Sequence, residues 1–303
     1  MKRITILFCI LYSSSFCCIA QELTPRFYWP SPRGTKVAVS GYSHVNGDVI
    51  LDPTIPLYEV NSRINTFFFA YMQNFSLFGR TTNVLVELPY SWGITKGIVV
   101  DTPAERRLSG FNDLGITLAV NLLGAPSMSP SDFQLLRDNP RVILGTSLKV
   151  LFPTGQYMTD RLINVGTNRW AFKPELGGLI PLWPKLLLEI QAGVWFFTKD
   201  NDYMMGTRKQ QPIFSGEVHL VKRFKPGLWA SIEANYFWGG RQEIGGTQLE
   251  DLQRNSKIGA TVAVPIPRRH SFKFGYSIGT VTEFGTDFKQ FLVTYTVLLN
   301  KFK

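Results

Sequence analysis

Several titratable residues of this chain share one parity within short stretches whose other parity is apolar. They are Glu87, Asp113, Lys149, Lys173, Glu175, Glu189, Glu217, His219, Glu233, Lys257 and Lys273. Carboxylates, ammonium groups and an imidazole gathered on one surface could serve catalysis, hold a metal, or set up a field that orients a solute. Local patterns argue against the first two. His44, His219 and His270 are far apart, and there is no His-Glu-x-x-His, no Gly-x-Ser-x-Gly, no phosphate loop and no paired cysteine motif. Ser43 and His44 could be drawn into a Ser/His site, but a polar strand end is the simpler reading. Asp200 and Asp202 in "KDNDY" could bind calcium through loop carboxylates, though a solvated loop suffices. The expectation is no catalytic residue, no metal and no cofactor.

The elements that carry these residues read as β-strands. In "PGLWASIEANYFWGG" the positions Leu228, Ala230, Ile232, Ala234, Tyr236 and Trp238 alternate with Trp229, Ser231, Glu233, Asn235 and Phe237. A period of two places successive side chains on opposite faces of a strand. The same alternation recurs near 84–92, 114–122, 142–152, 186–196, 258–264, 272–278 and 291–297. Weaker cases at 36–45, 64–77, 170–180 and 212–222 bring the expected total to twelve. Pro89 and Pro174 fall inside strands, where each removes a ladder donor and predicts a bulge or a frayed pair.

Connection lengths alternate. Short ones are expected at 78–81, 182–185, 224–227 and 265–270, and long ones at 46–63, 96–108, 154–170, 199–211, 239–253 and 280–287. One connection on the short side, "SMSPSDFQLLRDNP", predicts a helix with Ser129 as N-cap and Pro130 at its first position, ending before Pro140. Tyr90/Trp92 and Tyr236/Trp238 close apolar faces where interfacial aromatic girdles lie. Together these features predict an all-β fold, an antiparallel transmembrane β-barrel of about 12 strands with one short periplasmic-side helix. A soluble β-sandwich shares the local alternation. It does not explain the girdles, the two loop classes or the ions on the polar faces.

The chain ends and composition fit export. Lys2 and Arg3 precede a short apolar run, and Cys18 and Ala20 stand at −3 and −1 of a cut before Gln21, so residues 1–20 read as a signal peptide and 21–303 as one barrel domain. Acylation of Cys17 or Cys18 is the competing reading, although the residues before them are Ser and Phe rather than Leu and small residues. Cys9, Cys17 and Cys18 are the only cysteines, so the exported chain would carry no disulfide. The formal charge of +10 drops to +8 without Lys2 and Arg3. Its basic residues are scattered among aromatics in an exported chain, which fits anionic lipid headgroups rather than nucleic acid.

The stretches "VELPYSWG" (86–93), "SGFNDLGITLAVNLLG" (109–124), "LFPTGQY" (151–157), "INVGTNRWAFKPELGG" (163–178) and "LQRNSKIGATVAVP" (252–265) follow one another in order. This set resembles the bacterial meta-pathway phenol-degradation family of Gram-negative outer-membrane barrels. The resemblance implies a barrel and a channel for small, often aromatic, molecules.

Within a barrel the polar parity faces the lumen. Closing the sheet would set an acidic strip, Glu189, Glu217 and Glu233, between Lys149 and Lys173 on one side and Lys257 and Lys273 on the other. Such a strip could brace a salt-bridged plug or impose a transverse field on a pore. Trp195, Phe197, Trp229 and Phe237 share the inward parity and read as an inner aromatic rim near the outer end. The leading functional reading is an outer-membrane channel or transporter for small solutes, with outer-membrane lipid and an unidentified solute as partners. The alternatives are a non-conducting barrel that binds through its loops and a barrel lipid hydrolase.

Overall fold

The computed structural model describes residues 23–300 except 54, 56, 162 and 205. The expected signal peptide, 1–20, lies outside the described residues. The first strands are β1 (Lys36–Ile50), β2 (Leu57–Leu77), β3 (Arg80–Val99), β4 (Thr102–Phe111) and β5 (Leu114–Leu123). Helix α1 (Pro130–Asp138) precedes β6 (Ile143–Phe152), β7 (Ala171–Trp183) and β8 (Leu186–Phe197). Short β9 (Asp200–Tyr203) and β10 (Gly206–Gln210) lead into β11 (Ile213–Lys225) and β12 (Leu228–Gly239). Short β13 (Gln242–Ile244) and β14 (Thr247–Gln248) precede β15 (Gln253–Ile266), β16 (His270–Val281) and β17 (Gly285–Leu298).

The long strands form one antiparallel sheet in the order β2-β1-β17-β16-β15-β12-β11-β8-β7-β6-β5-β3, and the β2–β3 pairing closes it. β4 and β5 share one flank of β3: β5 pairs with Thr82–Glu87 and β4 with Tyr90–Val99. They therefore act as one strand interrupted at Asn112 and Asp113, and the barrel has twelve strand positions. Pro89, which has no N–H to donate, sits where β3 changes partner. Pro174 lies where the β7–β8 ladder skips from Phe172 to Glu175.

Closure pairs the backbone groups that lipid would leave unsatisfied. The exposure pattern gives the sense of the wall: Ile232 is 64% exposed and the adjacent Glu233 only 6%. Along the middle of the wall the outer face is apolar and the charged side chains point in, the reverse of a soluble sandwich.

The long-loop end departs from expectation. Stretch 96–108 is mostly β3 and β4, joined by a tight turn in which Val100 and Asp101 both have positive φ, as a two-residue hairpin requires. Stretches 199–211 and 239–253 contain a separate four-stranded sheet, β14-β13-β10-β9. These segments are polar on both faces, so no apolar parity marks them in the sequence. At the opposite end α1 has the expected cap: the Ser129 side chain accepts from Asp132 N, and the Asp132 carboxylate accepts from Ser129 N. This pairing holds the exposed Asp132 carboxyl below its usual range. Leu136 of α1 packs with Met128 and Ala125 against Ile143, Leu179, Leu187, Val221, Trp229 and Ala263, forming an apolar floor.

Candidate functional site

The lumen is occupied by the chain's own N-terminal segment. Residues 23–35, which precede β1, lie against the strands that carry the acidic residues. Glu217 Oε2 accepts from Thr24 N at 3.1 Å and from Thr24 Oγ1 at 3.2 Å. Glu189 Oε2 accepts from Arg26 N at 2.5 Å. The Tyr28 hydroxyl reaches Glu175 Oε1 at 3.1 Å and Ser147 Oγ at 3.3 Å, and Tyr28 O accepts from Asn121 Nδ2 at 3.2 Å. This is the carboxylate chemistry of a helix cap applied to an irregular segment: carboxyl oxygens accept from backbone donors that have no ladder partner.

Shape complements charge. The Tyr28 ring lies over Gly145 and Gly177 on β6 and β7, and a Cβ on either would collide with it. Leu23 is seated the same way on Gly259 of β15. The Arg26 guanidinium lies 5.0 Å from the Trp29 ring centroid and 5.2 Å from that of Trp229, and Arg223 stacks on Trp29 at 4.9 Å. Trp29 also packs on the apolar floor. The segment is therefore a plug, anchored by carboxylates along its path and by aromatics at its base.

The titratable residues of the lumen fall into linked groups. Lys173 Nζ is 2.7 Å from Glu175 Oε2 and 3.6 Å from Glu217 Oε1. His219, which is fully buried, places Nε2 3.3 Å from Glu217 Oε2. Glu233 accepts from Ser231 Oγ at 2.5 Å, and its neighbours across the ladders are His219 and Gly259. Lys149 pairs with Glu87 at 3.1 Å, one wall segment away. Lys257 is buried beside Asn235, and Lys273 lies in register with Ala263 and Thr294. Asp113 has a different task. At the break between β4 and β5 it accepts from Gly155 N at 2.9 Å and Thr167 N at 3.0 Å, tying the 153–170 loop to the wall.

Three of the four expected rim aromatics meet at the long-loop end. Trp195 stacks on Phe197 at 6.3 Å, and both pack with Phe237, Leu151, Ala171 and Ile213. Trp229 does not join them. It is at the other end of the barrel, next to the short turn between β11 and β12, because parity fixes a residue's face but not its height.

Above the rim the small sheet forms a lid. Asp200 and Arg208 are fully buried and 3.5 Å apart. Asp200 also accepts from Tyr157 Oη at 2.8 Å and Asn168 Nδ2 at 2.9 Å, so its carboxylate is engaged inside the lid rather than solvated. Burial and this bond to Asp200 both push the Tyr157 hydroxyl above its usual pKa. Asp251 accepts from Gln242 N and Nε2, both at 2.8 Å, and burial raises its carboxyl above the usual range. Asp52 accepts from Glu250 N, latching the first long loop to the lid. Ser43 and His44 face opposite sides of β1: Ser43 accepts from Gln290 inside, and His44 meets Asn65 Oδ1 on the outer wall at 2.9 Å. Among the described residues no group of acids, histidines or cysteines could hold a metal ion.

The plug and lid escaped sequence reading. Leu23–Thr35 has no periodicity, and its only signal is a cluster of Arg, Pro and aromatic residues between the expected cleavage point and the first strand.

The fold is similar to that of the COG4313 outer membrane channel from Pseudomonas putida F1, with a TM-score of 0.75 and 18% identity over 92% of this chain and 100% of that one. The transport unit of the autotransporter AIDA-I from Escherichia coli is more distant, at a TM-score of 0.51 and 11% identity over 98% of this chain and 97% of that one. No curated protein sequence matches the chain. Residues 40–286 match the family described as "Putative MetA-pathway of phenol degradation", and the chain belongs to that family.

Proposed function

We propose that this protein is an outer-membrane channel for small, largely apolar solutes, exported by its N-terminal segment 1–20 and gated by the segment that follows. The observation that carries this reading is the uneven filling of the lumen. The plug covers the charged strands, while a set of inward apolar side chains on β1 to β3 and β17 stays half-buried. Those residues include Val39, Ile64, Phe68, Met72, Leu85 and Leu292. Half-exposed apolar side chains inside a closed wall leave space beside them, and such a surface favours an apolar or aromatic solute over a hydrated one. The aromatics Trp195, Phe197 and Phe237 lie at the entrance from the lid side. On this reading Glu175, Glu189 and Glu217 are seat residues for the plug and do no chemistry on the solute. The structural likeness to an outer membrane channel and the family membership point the same way.

The test is solute flux into proteoliposomes containing the full mature chain. An uncharged monoaromatic solute should enter faster than a sugar of similar size. Equal rates for the two, or rates no higher than in protein-free vesicles, would overturn the proposal.

A further inference from the structure

Strand register aligns outward side chains into rows around the barrel. One row near the long-loop end reads Arg107 on β4, Ile94 on β3, Arg63 on β2, Asn46 on β1 and Lys289 on β17. The row nearer the middle of the barrel reads Ser109, Trp92, Asn65, His44 and Phe291, the start of the outer aromatic band. The row on the far side reads Glu105, Lys96, Asn61, Asp48 and Asp287. The basic row thus lies between the aromatic girdle and a row containing three carboxylates.

Most charges in these rows are engaged. Glu105 takes Arg107 at 2.9 Å and Lys96 at 3.4 Å. Asp48 accepts from Asn61 Nδ2 at 2.9 Å, and Asp287 from Thr282 Oγ1 at 3.3 Å. Arg63 and Lys289 differ. Both are exposed, and neither side chain has an ion pair or hydrogen bond among the described residues. They flank Asn46 on strands two apart, about 10 Å by the spacing of adjacent strands. A girdle of Trp, Tyr and Phe marks the depth at which lipid headgroups begin. Cations just beyond it on a lipid-facing wall stand at headgroup level, where anionic groups supply the missing partners.

We propose that Arg63, Asn46 and Lys289 form an outer-wall cradle for the phosphate of an outer-leaflet lipid headgroup. The guanidinium offers a planar fork for two phosphate oxygens, the ammonium a point charge, and the Asn46 amide a neutral donor between them. The carboxylates one row outward repel a phosphate from beyond the cradle and keep it on the membrane side. The cradle rests on the reading that the long-loop end faces the cell exterior, but not on the solute the channel carries.

The test uses the full mature chain, purified in detergent, with bisphosphorylated lipid A and its dephosphorylated form as probes and native mass spectrometry as readout. The phosphorylated lipid should be retained at least tenfold more than the dephosphorylated one. R63Q/K289Q should abolish that preference, while K185Q/K225Q, which removes two cations at the short-turn end, should keep it. The proposal is overturned if the native chain holds both lipids equally, if R63Q/K289Q retains the preference, or if K185Q/K225Q removes it. Heat-modifiable gel mobility reports whether each variant is folded, and R63A/K289A replaces R63Q/K289Q if that variant does not fold. Orientation is read separately, by labelling Asn61→Cys in intact cells with a membrane-impermeant thiol reagent. Absence of label would place the row at the inner leaflet and overturn the cradle whatever the lipid result, whereas solute flux would be untouched.

Discussion

On β7, β8, β11 and β12 the inward positions carry Glu175, Glu189, Glu217, His219 and Glu233, and each is at most 6% exposed. On β1 to β3 and β17 the inward positions carry Val39, Ile64, Phe68, Met72 and Leu292, and these remain half-buried. A simple hydrophobic rule predicts the opposite, with charges in water and apolar groups sealed. The inversion arises because the plug needs hydrogen-bond acceptors more than apolar contact. Its backbone at Thr24 and Arg26 has donors with no ladder partner, and two buried carboxylates supply what a strand otherwise would. The apolar side chains named on the other wall have no such donors to satisfy and stay half-exposed. On the proposed reading, two walls of one barrel divide the work, one holding the gate and the other providing the path.

Variants that exchange these roles test the division. The largest effect is expected from Glu189→Gln with Glu217→Gln. A buried hydrogen bond contributes about 1 kcal/mol, so weakening both should unseat the plug and raise single-channel conductance about tenfold or more. Neutralising Glu233 as well should lower Tm further, because its hydrogen-bond partner Ser231 is buried. An unchanged conductance together with an unchanged Tm would mean that the plug is held elsewhere.

Ile232→Arg comes next. It tests the outer face of the same strand and should hinder insertion by about 2–4 kcal/mol if the site is near the bilayer midplane. Adjacent Glu233→Gln should insert normally. Insertion is checked by the yield of heat-modifiable protein in the membrane fraction, and equal yields for the two variants would contradict the face assignment.

Gly177→Val should have an intermediate effect, since the Cβ would collide with the Tyr28 ring and the plug must shift. The expected result is raised conductance at nearly native Tm, with Gly216→Val, on the outer face of β11, as the silent control. On the apolar wall Phe68→Ala should change Tm least, because the side chain is already half-exposed, while slowing aromatic flux several-fold. A conductance rise from Phe68→Ala equal to that from Gly177→Val would erase the distinction between the walls.

Much of the barrel is legible in the sequence because lipid and lumen impose opposite demands on alternate residues. That pressure produces patterns such as Leu188, Ile190, Ala192 and Val194 against Glu189, Gln191 and Gly193. It ends at the membrane surface. The β3–β4 extension beyond Ile94 and the lid strands β9, β10, β13 and β14 carry polar residues on both faces, and they read as loops. Parity likewise placed Trp229 on the inner face without its height. The acidic strip was visible as a strip, but its partner was not. Glu189 and Glu217 face backbone N–H donors, and no side-chain pattern encodes a backbone donor. The sequence grouped Lys173 with the strip as a whole, and in the structure its Nζ lies 3.6 Å from Glu217 Oε1.

The central claim is that the segment before β1 is seated on the charged wall. Thr24→Cys can be paired with a second cysteine on either wall and treated with a short bis-maleimide in native membranes. Gln191→Cys lies on the charged wall, where Thr24 Oγ1 and Gln191 Oε1 are 3.2 Å apart. Ser43→Cys lies on β1, six strand positions away around the barrel. Bridging of 24 to 191, with little to 43, is the predicted outcome, and the bridged protein should stay closed in conductance. Bridging to 43 in preference to 191, or to neither, would contradict the account.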